Sequence, residues 1–223
     1  MAELLFELLS EEIPARMQAR AAEDLKRLVS EKLKAANLAF TRADAFVTPR
    51  RLTLVVDGMP DQQPELVEER KGPRTDAPDQ AIQGFLKAAG LASLDQCEVR
   101  EVGKAKFHFA SQRKAGAPTA QILPGLLAQA IGALPWPKSM RWGAGQMRYV
   151  RPLHGIVAIF DGRLLGGAVE IDGGAAIHFG ETTVGHRFLA PATITVSGFA
   201  DYKAKLRTAK VILDPAERRA IIG

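Results

Sequence analysis

The sequence predicts an α+β fold, in which mixed, largely antiparallel sheets with hairpins pack against a few amphipathic helices. Short strand-like runs flank two turn dipeptides, Gly103-Lys104 and Asp161-Gly162, and such pairs are typical of β-hairpins. Residues 118–134 carry apolar side chains at helical spacing, which predicts a core helix. Apolar residues make up 47% of the 223 positions, enough to bury a sizeable core.

The first half of the chain predicts strands around one long helix. Residues 14–36 carry a helical apolar stripe, and Pro14 suits the first turn because a proline has no N–H to leave unpaired. The other elements expected here are a buried strand at 3–9, strands at 39–47 and 51–57, a polar loop at 61–79, and a short helix at 80–89 ended by Gly90.

The second half predicts two hairpins with a helix between them. Residues 97–102 and 105–111 flank a turn whose leading Gly103 suits type II′, and residues 155–160 and 163–170 flank a type I′ turn. Pro124 implies a kink or a later start of the helix within 118–134. His108 alternates with two phenylalanines, so it is expected to face away from the core. Further strands are expected at 175–179, 182–188 and 193–197, and a helix at 199–209.

These elements suggest three regions. Residues 1–60 form a strand–helix–hairpin region, residues 61–212 an α+β domain with a basic segment at 102–160, and residues 213–223 the start of a helical domain. Asp214 and Pro215 are a good helix opening, a capping carboxylate followed by proline. A helix that opens so near Gly223 indicates that the native protein continues further.

Charge is distributed unevenly along the chain. Residues 102–160 contain 8 lysines and arginines and no aspartate or glutamate, whereas residues 1–101 have a net charge of −4. A solvated surface normally mixes both signs, so this bias indicates an anionic partner or an exposed basic loop.

Several classes of protein are excluded or disfavoured. The apolar runs are too short to span a bilayer, and acids stand near the N-terminus where a signal peptide carries cations, so a cytoplasmic protein is expected. The single cysteine, Cys97, cannot form an internal disulfide. No phosphate-loop, nucleophile-elbow or zinc-protease motif occurs, and we assign no catalytic residue and no metal ligand.

The main candidate for binding is residues 135–155. This stretch contains Lys138, Arg141, Arg148 and Arg151 beside Trp136, Trp142 and Tyr149. Cations neutralise phosphates, and aromatic rings stack on unpaired bases. The two tryptophans are slightly more typical of core anchors, and Arg141, Arg148 and Arg151 fit either a phosphate or a structural carboxylate partner.

Other polar residues allow weaker assignments. His186 and Arg187 are expected to touch a phosphate or to end a strand. His178, Glu181 and His186 are more typical of unrelated positions than of a metal site. Glu11 and Glu12 stand before a helix N-terminus, where the dipole stabilises acids.

Six blocks of sequence, in order, carry a resemblance to a known family. They are LLFELLSEEIPAR (4–16), VTPRRLTLVVDG (47–58), ERKGP (69–73), PWPKSMRWG (135–143), RYVRPLHGIVAIF (148–160) and GHRFLAP (185–191). Together they resemble the N-terminal part of the β subunit of the bacterial heterotetrameric glycyl-tRNA synthetase, over essentially the whole chain. Gly155 departs from the family pattern, in which many members have Trp.

The resemblance implies an α2β2 enzyme that joins glycine to its tRNA with ATP and Mg²⁺, both bound by the α subunit. This chain is then a non-catalytic fragment, inactive alone, with no cofactor of its own and with tRNA and the α subunit as partners. We expect tRNA binding by Lys138, Arg141, Arg148, Arg151, His186 and Arg187. The alternatives are a scaffold that docks the α subunit, or a hydrolase that edits mischarged tRNA through His178, Glu181 and His186.

Overall fold

The structure is a computed structural model that describes residues 1–103, 105–142, 145–172 and 175–223. The strands are β1 (Ala2–Ser10), β2 (Arg42–Thr48), β3 (Arg51–Met59), β4 (Leu66–Arg74), β5 (Cys97–Val102), β6 (Ala105–Lys114), β7 (Leu153–Phe160), β8 (Arg163–Leu164), β9 (Ala168–Asp172), β10 (Ala175–Gly180), β11 (Thr182–Val184) and β12 (Thr193–Thr195). The helices are α1 (Ala15–Ala35), α2 (Asp79–Ala89), α3 (Thr119–Gly132), α4 (Phe199–Thr208) and α5 (Pro215–Ile222), with a 3-10 turn at Leu94–Gln96.

The chain divides into two compact units. The larger comprises Met1–Gln63 with Ala117–Gly223, and the smaller comprises Pro64–Gly116. The region boundaries expected after residues 60 and 212 remain predictions about folding units.

The larger unit is built on a sheet with the strand order β2-β3-β1-β7-β10-β9, and β8 pairs with the outer part of β7. Its described pairs are antiparallel except β7 with β10. Strand β1 is central and buried on both faces: Leu4, Phe6 and Leu8 join one apolar cluster, while Leu5 joins another. This double burial explains why β1 reads as an apolar run rather than an alternating one. The expected α+β class is confirmed.

Helices cover both faces of this sheet. The first cluster contains the stripe of α1, with Met17, Leu25 and Leu33, together with the apolar face of α3. The second contains Tyr202 and Leu206 of α4. Helix α3 starts at Thr119 and continues through Pro124. The predicted helices at 14–36, 118–134 and 199–209 are confirmed within two residues at each end.

Turn residues account for the second hairpin. Asp161 and Gly162 both have positive φ, 50° and 73°, as a type I′ turn requires. Gly103 has φ of 69°, but Lys104 lies outside the described residues, so the type II′ assignment there stays a prediction. At Gly155 a Cβ would meet nothing within 4 Å, so this position on β7 has open space beside it.

The smaller unit is a three-stranded antiparallel sheet in the order β4-β6-β5, together with α2. The expected loop at 61–79 is wrong here, because Leu66–Arg74 forms β4. Its charged side chains misled the prediction, since Lys71 lies over the ring of Phe107 at 3.8 Å from the centroid. An open sheet face accepts such cation–aromatic pairs.

Three further expectations are corrected. His108 is buried, only 7% exposed, while Phe107 and Phe109 are half-buried beneath cations, so the two faces of β6 were assigned the wrong way round. Residues 163–170 do not form one strand, because Gly166-Gly167 separates β8 from β9 and a Cβ on Gly167 would lie 2.8 Å from the Phe179 ring. Strand β11 ends at Val184 rather than at residue 188, because a turn begins there.

Candidate nucleic-acid interface

A single β-bridge organises the basic stretch between α3 and β7. Met140 and Tyr149 exchange two backbone hydrogen bonds, of 2.9 and 3.2 Å. Tyr149 is fully buried, and the ring of Trp136 packs edge-on against it at 4.9 Å between centroids. Burial raises the pKa of Tyr149 above its ordinary range. Tyr149 is therefore core, while Trp136 and Trp142 are half-buried against that core.

Two arginines lie next to this bridge, one on each of the paired segments. Arg141 comes directly after Met140, and Arg148 directly before Tyr149, and both are exposed. Arg141 donates to the amide oxygen of Gln146 at 3.1 Å. Like charges at neighbouring positions on paired strands repel each other, so an anion bound between these arginines would be stabilising.

Lys138 lies elsewhere in the same stretch, at the edge of a cleft that we call the Trp136 cleft. The cleft has a volume of about 300 Å³ and is formed by α1 and the residues after α3. Its walls combine Trp136 and two prolines with Arg16, Arg20 and Lys138, against one carboxylate, Asp24. Asp24 pairs with Arg27 at 3.2 Å and with Arg20 of the same cleft at 3.6 Å.

Arg151 lies in a groove at the start of α1, together with Arg187 from a distant turn. Its Nε donates to the backbone oxygen of Glu12 at 3.3 Å. Next to it, Nε2 of His154 lies 2.8 Å from a carboxylate oxygen of Glu11. This hydrogen bond lowers the pKa of Glu11; partial burial opposes the shift, and the charges of Arg50 and Arg187 add to it.

His186 fixes the turn that carries Arg187. Its Nδ1 accepts the backbone N–H groups of Phe188 and Leu189 at 3.3 and 3.2 Å. In the neutral ring the proton is then on Nε2, which can donate. The turn lies close to the end of α4: a Cβ on Gly185 would be 2.5 Å from the oxygen of Ala190 and 2.6 Å from Cβ of Ala209.

This close approach creates a second concave site, which we call the Arg50 pocket. It has a volume of about 290 Å³ and lies between the β2–β3 turn, the turn at 185–188 and the segment after α4. Among its walls are five cationic side chains and one carboxylate, Glu12; the cations are Arg50, Arg51, Arg187, Lys210 and Arg218.

A buried polar network supports this pocket from below. Glu7 on β1 is fully buried, and its carboxylate accepts from Nε of Arg51 at 3.1 Å and from Thr183 at 2.5 Å. The hydroxyl of Tyr202 also donates to Glu7, and burial together with the Glu7 charge raises the pKa of Tyr202. Arg51 additionally donates to the oxygen of Val184. The network thereby connects β1, β3, β11 and α4.

The four cations of the basic stretch belong to the cations of the larger unit that have no carboxylate partner among the described residues, as Arg16, Arg50 and Arg163 do. Among the described residues, Lys138, Arg141, Arg148 and Arg151 have no carboxylate within 4.0 Å. Arg187 has distant contacts to Glu11 and Glu12, at 3.9 and 4.0 Å. The described part of the chain therefore contains no carboxylate partner for these four cations, contrary to the alternative of internal ion pairs.

The six predicted site residues do not form one cluster. Arg151 shares a groove with Arg187, and His186 and Arg187 share the Arg50 pocket, whereas Lys138 borders the Trp136 cleft. Sequence reasoning missed Arg50 and Lys210. The doubled arginine in the TPRR turn was a usable signal for the first, but nothing local marked Lys210, which is brought to the site by α4.

Within residues 1–103, 105–142, 145–172 and 175–223, no group of three His, Cys, Asp or Glu side chains is arranged to hold a metal ion. Over the same ranges, none of the helices combines the length and apolarity that crossing a membrane requires.

The fold and the exposed cations define an α+β protein with a basic surface. Sequence comparison gives the family: a model described as glycyl-tRNA synthetase beta subunit matches residues 4–223. The chain belongs to this family.

Similar proteins match this chain in sequence over its whole length. It is 53% identical to the glycine–tRNA ligase beta subunit of Rhodospirillum centenum over 241 residues, covering 100% of this chain and 34% of that protein. The beta subunits of Ruegeria sp. (strain TM1040) and Paracoccus denitrificans are 52% and 53% identical, each with 100% of this chain and 32% of the relative covered. The chain thus spans about a third of the length of these relatives.

Proposed function

We propose that this chain is a non-catalytic, tRNA-contacting part of a glycine–tRNA ligase β subunit. The whole enzyme would be a cytoplasmic α2β2 ligase that attaches glycine to tRNA, with ATP and Mg²⁺ bound by the α subunit. The chain alone would have no ligase activity. Its partners would be the α subunit and glycine-accepting tRNA.

The observation that carries this proposal is the set of exposed cations without carboxylate partners in the described structure. Lys138, Arg141, Arg148 and Arg151 lie on the unit whose core they flank, and half-buried Trp136 and Trp142 lie among them. By contrast, the buried structural cation Arg51 has an acidic partner, Glu7. Unpaired cations beside aromatic rings suit a phosphate backbone with accessible bases.

The test is a salt series with glycine-accepting tRNA. Replacing Lys138, Arg141, Arg148 and Arg151 by Ala should weaken binding and lower the slope of log affinity against log salt by about 1 for each lost phosphate contact. The matched control removes four cations that already have carboxylate partners: Arg27, Arg42, Arg74 and Lys205. If affinity is flat with salt, or if the control variant loses as much as the test variant, the proposal fails.

A second candidate role, docking of the α subunit, is favoured by one feature. Phe188 and Leu189 are 81% and 70% exposed, yet His186 holds their backbone in place. A fixed, exposed apolar tip suits insertion into a partner pocket. Replacing both residues by Ser should abolish co-purification with the α subunit while tRNA binding persists; retained co-purification removes this role.

A further inference from the structure

The Arg50 pocket contains cationic donors that the fold itself does not use. Among the described residues, Arg50 makes one side-chain hydrogen bond, from Nε to the oxygen of Ser10 at 3.3 Å, so both terminal nitrogens of its guanidinium have no partner there. Lys210 is exposed, and its ammonium has no hydrogen-bond or ion-pair partner among the described residues. These two groups approach one concavity from separate segments of the chain.

Other cations in the same walls already bond to groups of the protein, so they have a structural role and are less able to bind a ligand. Arg218 donates to the backbone oxygens of Val47, Ile212 and Leu213 at 2.6–3.0 Å. Arg51 is paired with buried Glu7. These two residues shape the walls, whereas Arg50, Arg187, Lys210 and Nε2 of His186 offer free N–H groups at the surface of the pocket.

The charge balance of the pocket favours an anion. Among the described residues, Glu12 is the one carboxylate in its lining; that side chain is 68% exposed and 4.0 Å from Arg187, which also lies 3.9 Å from Glu11 outside the lining. The five cations of the lining outnumber these carboxylates and repel each other, and a bound anion relieves this repulsion. The buried hydroxyl of Thr48, in the same wall, has no hydrogen-bond partner among the described residues.

Shape and apolar contacts narrow the class of anion. A volume of about 290 Å³ exceeds what a single small anion fills, and Pro49, Val211 and the exposed ring of Phe188 line it beside the cations. We propose that the Arg50 pocket binds a phosphate ester of a nucleotide, with the phosphate on Arg50, Arg187 and Lys210 and the attached ring against Phe188. The phosphate has two possible sources: a free nucleotide or the backbone of an RNA.

This proposal goes beyond the tRNA contact of residues 138–151, because Arg50 and Lys210 are not among those cations and approach the pocket from other segments. It is tested without RNA, by titrating the complete chain with AMP and, separately, with inorganic phosphate, using calorimetry or amide chemical shifts. Both probes should bind, and AMP more tightly because its ring adds a contact. Arg50→Gln and Lys210→Gln should each weaken AMP binding at least tenfold. Glu12→Gln should strengthen it several-fold, since it removes the competing carboxylate.

Two controls make the result specific. Lys34→Gln removes an exposed cation of α1 outside the pocket and should leave AMP binding unchanged. A variant lacking only Lys138, Arg141 and Arg148, none of which lines the pocket, should also bind AMP normally, so failure of the tRNA proposal would be visible separately.

A final arm identifies the source of the phosphate. If tRNA displaces AMP, the pocket holds an RNA phosphate; if both bind together, it holds a free nucleotide. Either outcome supports a phosphate site. The proposal is overturned if neither AMP nor inorganic phosphate binds, or if the Arg50 and Lys210 variants bind them as the unmodified chain does.

Discussion

The guanidinium of Arg51 lies 3.1 Å from the carboxylate of Glu7, and both side chains are almost wholly buried, 4% and 1% exposed. Tyr202 of α4 and Thr183 of β11 donate to the same carboxylate, so these hydrogen bonds connect α4 and β11 to the centre of the main sheet. The turn at 185–188 continues directly from β11. The buried pair therefore positions the walls of the Arg50 pocket.

Removing one partner of this pair should be costly. Arg51→Met leaves the Glu7 carboxylate buried without its cation, and we expect the free energy of unfolding to fall by about 3–5 kcal/mol. Urea denaturation measures the change. Arg42→Met is the matched control, because Arg42 pairs with Asp44 at the surface, where an ion pair contributes about 0–1 kcal/mol. Equal losses of unfolding free energy in the two variants would show that the buried Arg51 pair contributes no more to stability than the surface pair.

A methyl group at Gly185 should separate the turn from α4. The added Cβ would overlap the oxygen of Ala190 and the Cβ of Ala209, so Gly185→Ala should lower the free energy of unfolding by about 1–3 kcal/mol and weaken AMP binding. Gly125→Ala is the control, since Gly125 is inside α3 and a Cβ there meets nothing within 4 Å. That change should stabilise by about 0.5–1 kcal/mol. Thermal denaturation with AMP titration distinguishes the two, and unchanged behaviour of Gly185→Ala contradicts the packing described.

Glu11 should make stability depend on pH in the acidic range. The hydrogen bond with His154 lowers the pKa of Glu11 in the folded state, so the folded protein binds this proton less tightly than the unfolded chain. The resulting stabilisation is present above the unfolded pKa of about 4.3 and is lost as pH falls through the lower, folded pKa. The difference in unfolding free energy between the unmodified chain and Glu11→Gln should follow that course.

His154→Phe provides the partner experiment for this pH dependence. Because it removes the hydrogen bond that is the largest cause of the lowered pKa, it should make the acidic step smaller, while the charges of Arg50 and Arg187 keep part of it. The double variant should behave as Glu11→Gln does, since both lack the titrating group. Urea denaturation between pH 3 and pH 7 measures all three variants. A step of unchanged size in His154→Phe would contradict this hydrogen bond as its main cause.

The buried position of His108 on strand β6 of the smaller unit can be tested. Nδ1 of His108 is buried without a hydrogen-bond partner in the described residues, which carries a desolvation cost of about 1–3 kcal/mol. His108→Leu fills similar space without the polar atom and should leave stability unchanged or raise it. His108→Ala should lower it by leaving a cavity. If His108 faced solvent, as the sequence suggested, both changes would be nearly neutral in thermal denaturation.

Local signals predicted most elements of the larger unit. Repeating apolar positions located α1, α3 and α4, and Asp161-Gly162 predicted its turn, since these features depend on residues close together in the chain. The Asp214 cap is confirmed as well, with its side chain accepting from the N–H of Ala216 at 2.8 Å. Strand β4 was missed because most of its residues are charged; one of them, Lys71, lies over the ring of Phe107 on another strand.

The candidate site was predicted less completely than the fold. The acid-free window directed attention to Lys138, Arg141, Arg148 and Arg151, and the structure places these cations without carboxylate partners in its described part. Their division among separate surfaces was not visible, because it depends on the bridge between Met140 and Tyr149 and on the return of the chain at Gly185.

By itself the sequence determined the class of fold, the long helices, the hairpin turn at Asp161-Gly162 and the family. Each of these follows from short-range periodicity, turn chemistry or ordered blocks of residues. Packing in three dimensions places Glu7 against Arg51, buries His108, and brings Arg50 and Lys210 to one pocket. The two pairs join residues that are 44 or more positions apart in the chain. Burial and the closeness of like charges arise from packing, which local sequence does not encode.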